Sequence, residues 1–166
     1  MSANSSQNPT PLSVLGSRMV RLIETNSDQL ARGAVERVEN SKRCQDFIAK
    51  VPAEELQQRV QEIYQHLGEW LTRKTERDIE LRYIAIGERR AAQGVSLSHL
   101  MFAIIATKEH LWGYVAKEVL GDPRPVELFQ EVELAELVEQ FFDRAIYFAA
   151  IGYERYQATQ ENAAKE

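Results

Sequence analysis

Apolar residues along this chain recur at intervals of three and four over long stretches, and the strict alternation of a half-buried strand is absent. That period predicts helices throughout. Leu12, Leu15, Met19, Leu22 and Ile23 form one stripe at the 3.6-residue repeat, opening a first helix near Leu12. Pro11 suits its first turn, where a missing N–H costs nothing. Asn26, Ser27 and Asp28 are cap-forming types and predict a pause before a second stretch to about Asn40, whose apolar face of Leu30, Ala34, Val35 and Val38 is thin. Phe47, Ile48 and Val51 predict a short helical turn on the core. Pro52 then opens a third helix, in which Leu56, Val60, Ile63, Tyr64, Leu67, Trp70 and Leu71 repeat and Glu54 and Glu55 complement the dipole at its start.

A fourth helix spans Glu76 to Gln93 and stops at Gly94, a residue suited to a left-handed terminus. Ser96 is a good N-cap for a fifth over 97–120, carrying Leu97, Leu100, Met101, Ile104, Ile105, Trp112, Val115 and Val119. Asp122, Pro123, Arg124 and Pro125 predict a stiff connector, because two prolines fix φ and disfavour helix in the residues before them. From about Val126 the chain holds no proline, and one long helix is expected to about Thr159, roughly 45 Å at 1.5 Å per residue. The pattern therefore predicts an all-α domain of about six helices over 12–158. It leaves a disordered tail over 1–11 and a polar tail over 159–166.

Composition narrows the class. Apolar residues are 44% and charged residues 27% of the 166, close to ordinary soluble domains. No apolar run approaches the length of a membrane span, the first eleven residues lack a secretory h-region, and a single cysteine, Cys44, excludes an intrachain disulfide. These features predict a cytoplasmic protein with no membrane partner. A net charge of −5 lacks the basic footprint that displaces counterions from phosphates, so no nucleic-acid partner is expected either.

The last helix changes character along its length. Glu127, Glu131, Glu133, Glu136, Glu139 and Asp143 make its first half acidic, which fits a solvated face at a helix start. Residues Ala145 to Tyr153 then run nine positions without a charge, wrapping apolar surface around the cylinder. Such a helix needs cover on every side. A second chain supplies it if the protein is a homodimer, with Phe141, Phe142, Ala145, Phe148, Ala149, Gly152, Tyr153 and Tyr156 as the interface; complete burial within one subunit is the competing arrangement.

On the fourth helix, Ile79, Tyr83, Gly87, Arg90 and Gly94 share one face. Two glycines beside a tyrosine and an arginine imply close backbone approach and a partly buried cation, unless the arginine's head reaches solvent while only its stem packs. Tyr83, Gly87, Arg90 and His110 are the candidates for lining a ligand pocket. His66, His99 and His110 do not pair at metal-ligand spacing, and no catalytic constellation can be placed from the sequence. No enzyme activity and no cofactor are therefore expected.

The segment YIAIGERRAAQGVSLSHLMFAIIATKEHLWGY, from Tyr83 to Tyr114, resembles the N-terminal sensor domain of RsbR-type stressosome regulators, the RsbT co-antagonist family. The resemblance rests on Tyr83, Gly87, Arg90, Gly94 and Leu97, followed by a helix with aromatic residues near its end, and extends more weakly over about 12–158. It implies a globin-like fold without haem, dimerisation through terminal helices, and signalling to a C-terminal output domain. In the related globin-coupled sensors a similar glycine-spaced segment holds the proximal histidine, and the resemblance puts Arg90 at that place. A guanidinium has no lone pair to offer iron. The sequence ends at Glu166 without an output domain, so the expectation is a stand-alone sensor or part of a longer chain acting on a downstream signalling protein. The rival expectation is a haem-binding gas sensor using His110 or His99.

Overall fold

The computed structural model describes residues 12–119 and 125–166, the side chains of Leu15, Val119 and residues 125–131 excepted. The tail expected over 1–11 and the connector residues Asp122, Pro123 and Arg124 lie outside them, as do the side chains of Glu127 and Glu131. The described residues are all-α: α1 (Val14–Thr25), α2 (Ser27–Glu39), a single 3₁₀ turn (Lys42–Cys44), α3 (Gln45–Lys50), α4 (Ala53–Gln65), α5 (Leu67–Thr72), α6 (Glu76–Ala92), α7 (Leu97–Val119) and α8 (Pro125–Ala164).

Local chemistry sets the boundaries. The Ser13 hydroxyl accepts the Gly16 N–H at the start of α1, and the expected pause falls on Asn26, which separates α1 from α2. The third helix, expected to run unbroken past Leu71, instead bends at His66 into α4 and α5. At that bend the Glu24 carboxylate of α1 accepts the Gly68 N–H at 2.9 Å, taking up a donor that the new helix start leaves free. The turn aims Leu67 wholly inward and lays Trp70 on the core.

Thr75 and Asp78 form a reciprocal capping box at the start of α6. Its far end is a Schellman stop: Gly94 takes φ 78°, its N–H donates to Ala91, and the Val95 N–H reaches back to Arg90. Gly94 is the only positive-φ residue among those described, as its place at the expected helix end requires. The thin face expected for α2 is a central one, with Ala31 and Ala34 fully buried.

The tightest join is between α6 and α8. Glu76 pairs with Arg144, Ile84 meets Gly152, and Gly87 meets Ala149 and Tyr153, so the two helices run in the same direction. A Cβ on Gly87 would lie 2.0 Å from the Ala149 carbonyl oxygen, and one on Gly152 would lie 2.1 Å from that of Ile84. Backbone therefore touches backbone at two reciprocal points, which only glycine permits. Beyond the crossing, the Tyr153 hydroxyl donates to the Val95 carbonyl at 2.6 Å, tying α8 to the α6–α7 turn.

This join already buries most of the residues expected at a dimer interface. Phe141, Phe142, Ala145, Phe148, Ala149 and Tyr153 are each at most 8% exposed within one chain, Gly152 is buried, and Tyr156 is half-buried. The physical reason is that α6 approaches closely, with α1, α5 and α7 on other sides, and covers these residues within the chain. The side chains of α8 that face outward are others, notably Val132 and Tyr147. The helix is 40 residues long, about 60 Å. It continues through the stretch expected to be a polar tail, and residues 157–166 are exposed throughout.

Gly87→Ala and Gly152→Ala are each expected to cost about 3 kcal/mol or more, at the top of the overpacking range, because neither neighbouring carbonyl can move without separating the helices. Gly113→Ala, where the nearest atom is the Arg37 guanidinium at 3.9 Å, should instead gain about 0.5–1 kcal/mol from better helix propensity. Urea denaturation of the three variants checks the contrast; equal effects would remove the backbone contact from the account.

Candidate functional site

The face of α6 that carries Tyr83 and Arg90 borders a cavity of about 60 Å3 between α4, α6 and α7. Phe47 and Trp70 lie at its edges, and Leu56, Val60, Leu100 and Ile104 supply much of its apolar wall. Trp70 packs edge-on against Tyr83 at 6.4 Å between ring centroids, and Tyr83 packs against Phe141 of α8 at 5.9 Å. An aromatic chain thus runs from the cavity wall to α8. Burial pushes the Tyr83 phenol well above the usual range, so it stays neutral as a wall residue.

Charges stand at two places around this space. Arg90 is 2% exposed; its guanidinium donates to Glu55 at 2.6 Å and to the Gln93 side chain at 2.7 Å, and lies 5.7 Å from the centre of the Phe47 ring. Gln93 in turn donates to the second Glu55 oxygen at 3.3 Å. The alternatives for Arg90 resolve to a buried head whose Nη1 is held by Glu55 and Gln93. Arg89 also binds Glu55, at 2.5 Å, from the exposed side. Its hydrogen bond and that of Arg90 outweigh the cost of burial and hold the Glu55 carboxyl down at about 2.

At the other place, Glu62 of α4 bonds Arg82 of α6 and stands 3.5 Å from Arg59 one turn earlier. These three side chains are between 31% and 39% exposed and border the cavity, so they form its mouth. Two guanidinium groups share one carboxylate there, leaving a local excess of positive charge. Lys74 adds to it, with its ammonium 5.9 Å from the centre of the Trp70 ring.

Of the four residues expected to line a pocket, Tyr83 and Arg90 do so. Gly87 serves the same helix from the side that meets α8. His110 lies elsewhere: it faces α2, with Nε2 where a Cβ on Gly33 would come within 2.5 Å, because a glycine there leaves room for the ring. Burial pushes its pKa down. His99, the other ligand of the rival haem reading, is not among the residues lining the cavity, and its carbonyl accepts from the Cys44 thiol. Among the described residues, no three His, Cys, Asp or Glu side chains gather as a metal site.

Sequence reasoning missed Glu55 as the partner of Arg90 and gave Arg82 no role. Both belong to pairings between α4 and α6, for which one helix's spacing holds no signal. Arg59 and Glu62, three apart on α4, were legible only as a local pair.

A family model for the RsbT co-antagonist protein rsbRD N-terminal domain matches residues 15–166, nearly the whole described chain. The chain belongs to this family. Membership in the RsbT co-antagonist family marks the domain as regulatory. No curated protein and no solved structure matches it. None of the described helices is long and apolar enough to cross a membrane.

Removing one side of the Arg90–Glu55 pair strands a buried charge. Glu55→Gln should cost about 3–5 kcal/mol. Arg89→Gln should cost less than about 1 kcal/mol, since Arg89 is 55% exposed and its bond competes with water. Because Glu55 ionises more readily folded than unfolded, its contribution is present at neutral pH and is lost as pH falls from about 4.5 towards about 2. Unfolding free energies between pH 6 and pH 3 should fall more steeply in the wild type than in Glu55→Gln; parallel curves would refute the assignment.

Proposed function

We infer that the chain is a non-catalytic regulatory sensor domain of the stressosome type, in which α8 carries the state of the cavity to a downstream signalling partner or output domain. The observation that carries this reading is the double role of α6. One helix forms a cavity wall through Tyr83 and touches the backbone of α8 through Gly87. A change in the space beside Tyr83 cannot be absorbed by loosening a side chain at the crossing, because no side chain stands there. The displacement passes to α8, whose last turns extend beyond the packed body.

The family description supports a regulatory role, and the placement of Arg90 supports a globin-like domain working without haem. Where the resemblance implies an iron-ligating histidine, this chain holds an arginine engaged by Glu55 and Gln93. Signalling then requires only that an occupant prefer one setting of the α6–α8 pair over another.

Nitroxide labels at Ser98→Cys on α7 and Gln160→Cys on α8, both exposed positions, test the relay, with buried Cys44 left in place. Filling the cavity with Ile104→Phe is expected to shift the mean label separation by about 1–2 Å, the scale of helix movements in switching proteins. An unchanged separation in a folded variant would contradict the relay.

A further inference from the structure

We propose that the cavity between α4, α6 and α7 is the binding site for a short aliphatic monocarboxylate, with Arg59 taking its carboxylate. The proposal rests on the reading of this cavity as the sensing site and adds the class of ligand.

Three observations fix that class. The first is size. A cavity of about 60 Å3 holds about four to six non-hydrogen atoms, at roughly 10–15 Å3 for each water-sized occupant. A four- or five-carbon tail fits; a haem or a long acyl chain does not. The second is lining: Leu56, Val60, Leu100 and Ile104, with Trp70 beside them, offer apolar contact and no free polar partner, which favours a hydrocarbon tail over a sugar or nucleobase.

The third is charge at the mouth. Arg82 is bound to Glu62, whereas Arg59 stands 3.5 Å from the same carboxylate, beyond a good hydrogen bond. Arg59 is thus the more loosely held guanidinium at the mouth, set where the head of a molecule whose tail fills the cavity would lie. Its planar fork matches a carboxylate, and the excess positive charge of Arg59, Arg82 and nearby Lys74 over Glu62 favours an anion over a neutral or cationic head. Arg90 does not stand at the mouth: it is 2% exposed and its Nη1 is held by Glu55 and Gln93.

Trp70 borders the site and Trp112 does not, so Trp112→Phe leaves one fluorophore reporting on the cavity. In that background 4-methylpentanoate is expected to change Trp70 emission saturably. Its amide and the matching amine should bind at least about tenfold more weakly, the worth of a charge-assisted bond. Dodecanoate should not fit. Arg59→Gln is expected to bring the acid to the level of the amide, Arg59→Lys to retain part of the preference, and Ile104→Phe to abolish binding of both.

Equal binding of acid and amide would overturn the proposal while leaving the cavity a receptor. Tighter binding of dodecanoate, or binding that survives Ile104→Phe, would overturn it by size or by place. If none of the compounds affects Trp70, the ligand class is wrong. The label separation between α7 and α8 then still decides, on its own, whether the cavity is coupled to α8.

Discussion

The structure depends on a contact without side chains. Where α6 crosses α8, Gly87 and Gly152 remove the two Cβ atoms that would hold the helices apart, and each helix rests on a carbonyl of the other. Close approach of this kind brings the flanking residues within reach as well: Tyr83 reaches Phe141, Glu76 reaches Arg144, and Tyr153 reaches the Val95 carbonyl. Most side-chain interfaces can re-pack by changing rotamers. This one has no rotamers at its centre, so the two helices behave as one element.

That rigidity gives the cavity its meaning. Its α6 wall belongs to the stiff pair, whereas its α4 wall is held by separate devices. One is the Arg90–Glu55–Gln93 cluster near one end, another is the Arg82–Glu62–Arg59 group at the mouth, and a third is the Tyr64 hydroxyl, which donates to the Thr107 carbonyl at 2.7 Å. Both charged groups span α4 and α6. The cavity is thus closed by ion pairs on the side where an occupant would enter and by backbone contact on the side where a signal would leave.

Much of this was legible in the chain. The 3.6-residue period, the Asn26 pause, the Gly94 stop and the shared face of Tyr83, Gly87 and Arg90 all follow from local chemistry, and each stands in the structure. The break at His66 was not legible, since Gly68 is an ordinary helix residue until the Glu24 carboxylate of α1 meets its N–H. The apolar stretch from Ala145 to Tyr153 was expected to need cover all round, whereas Tyr147 within it is 60% exposed. Within the chain, the cover of its buried side comes chiefly from α6. A stripe of glycines on α6 says that some backbone comes close, and Gly152 says the same of α8, but nothing in either helix alone says that they meet each other. Glu55 escaped for the same reason: its role exists only once α4 lies beside α6.

The measurement that bears most directly on the joined helices is native-state hydrogen exchange resolved by residue. If backbone contact makes them one element, the amides around Gly87 and those around Gly152 open together, with the same free energy and among the highest in the chain. Exchange in which the α8 amides open at a lower free energy, while those of α6 stay protected, would show two separate helices and contradict the account.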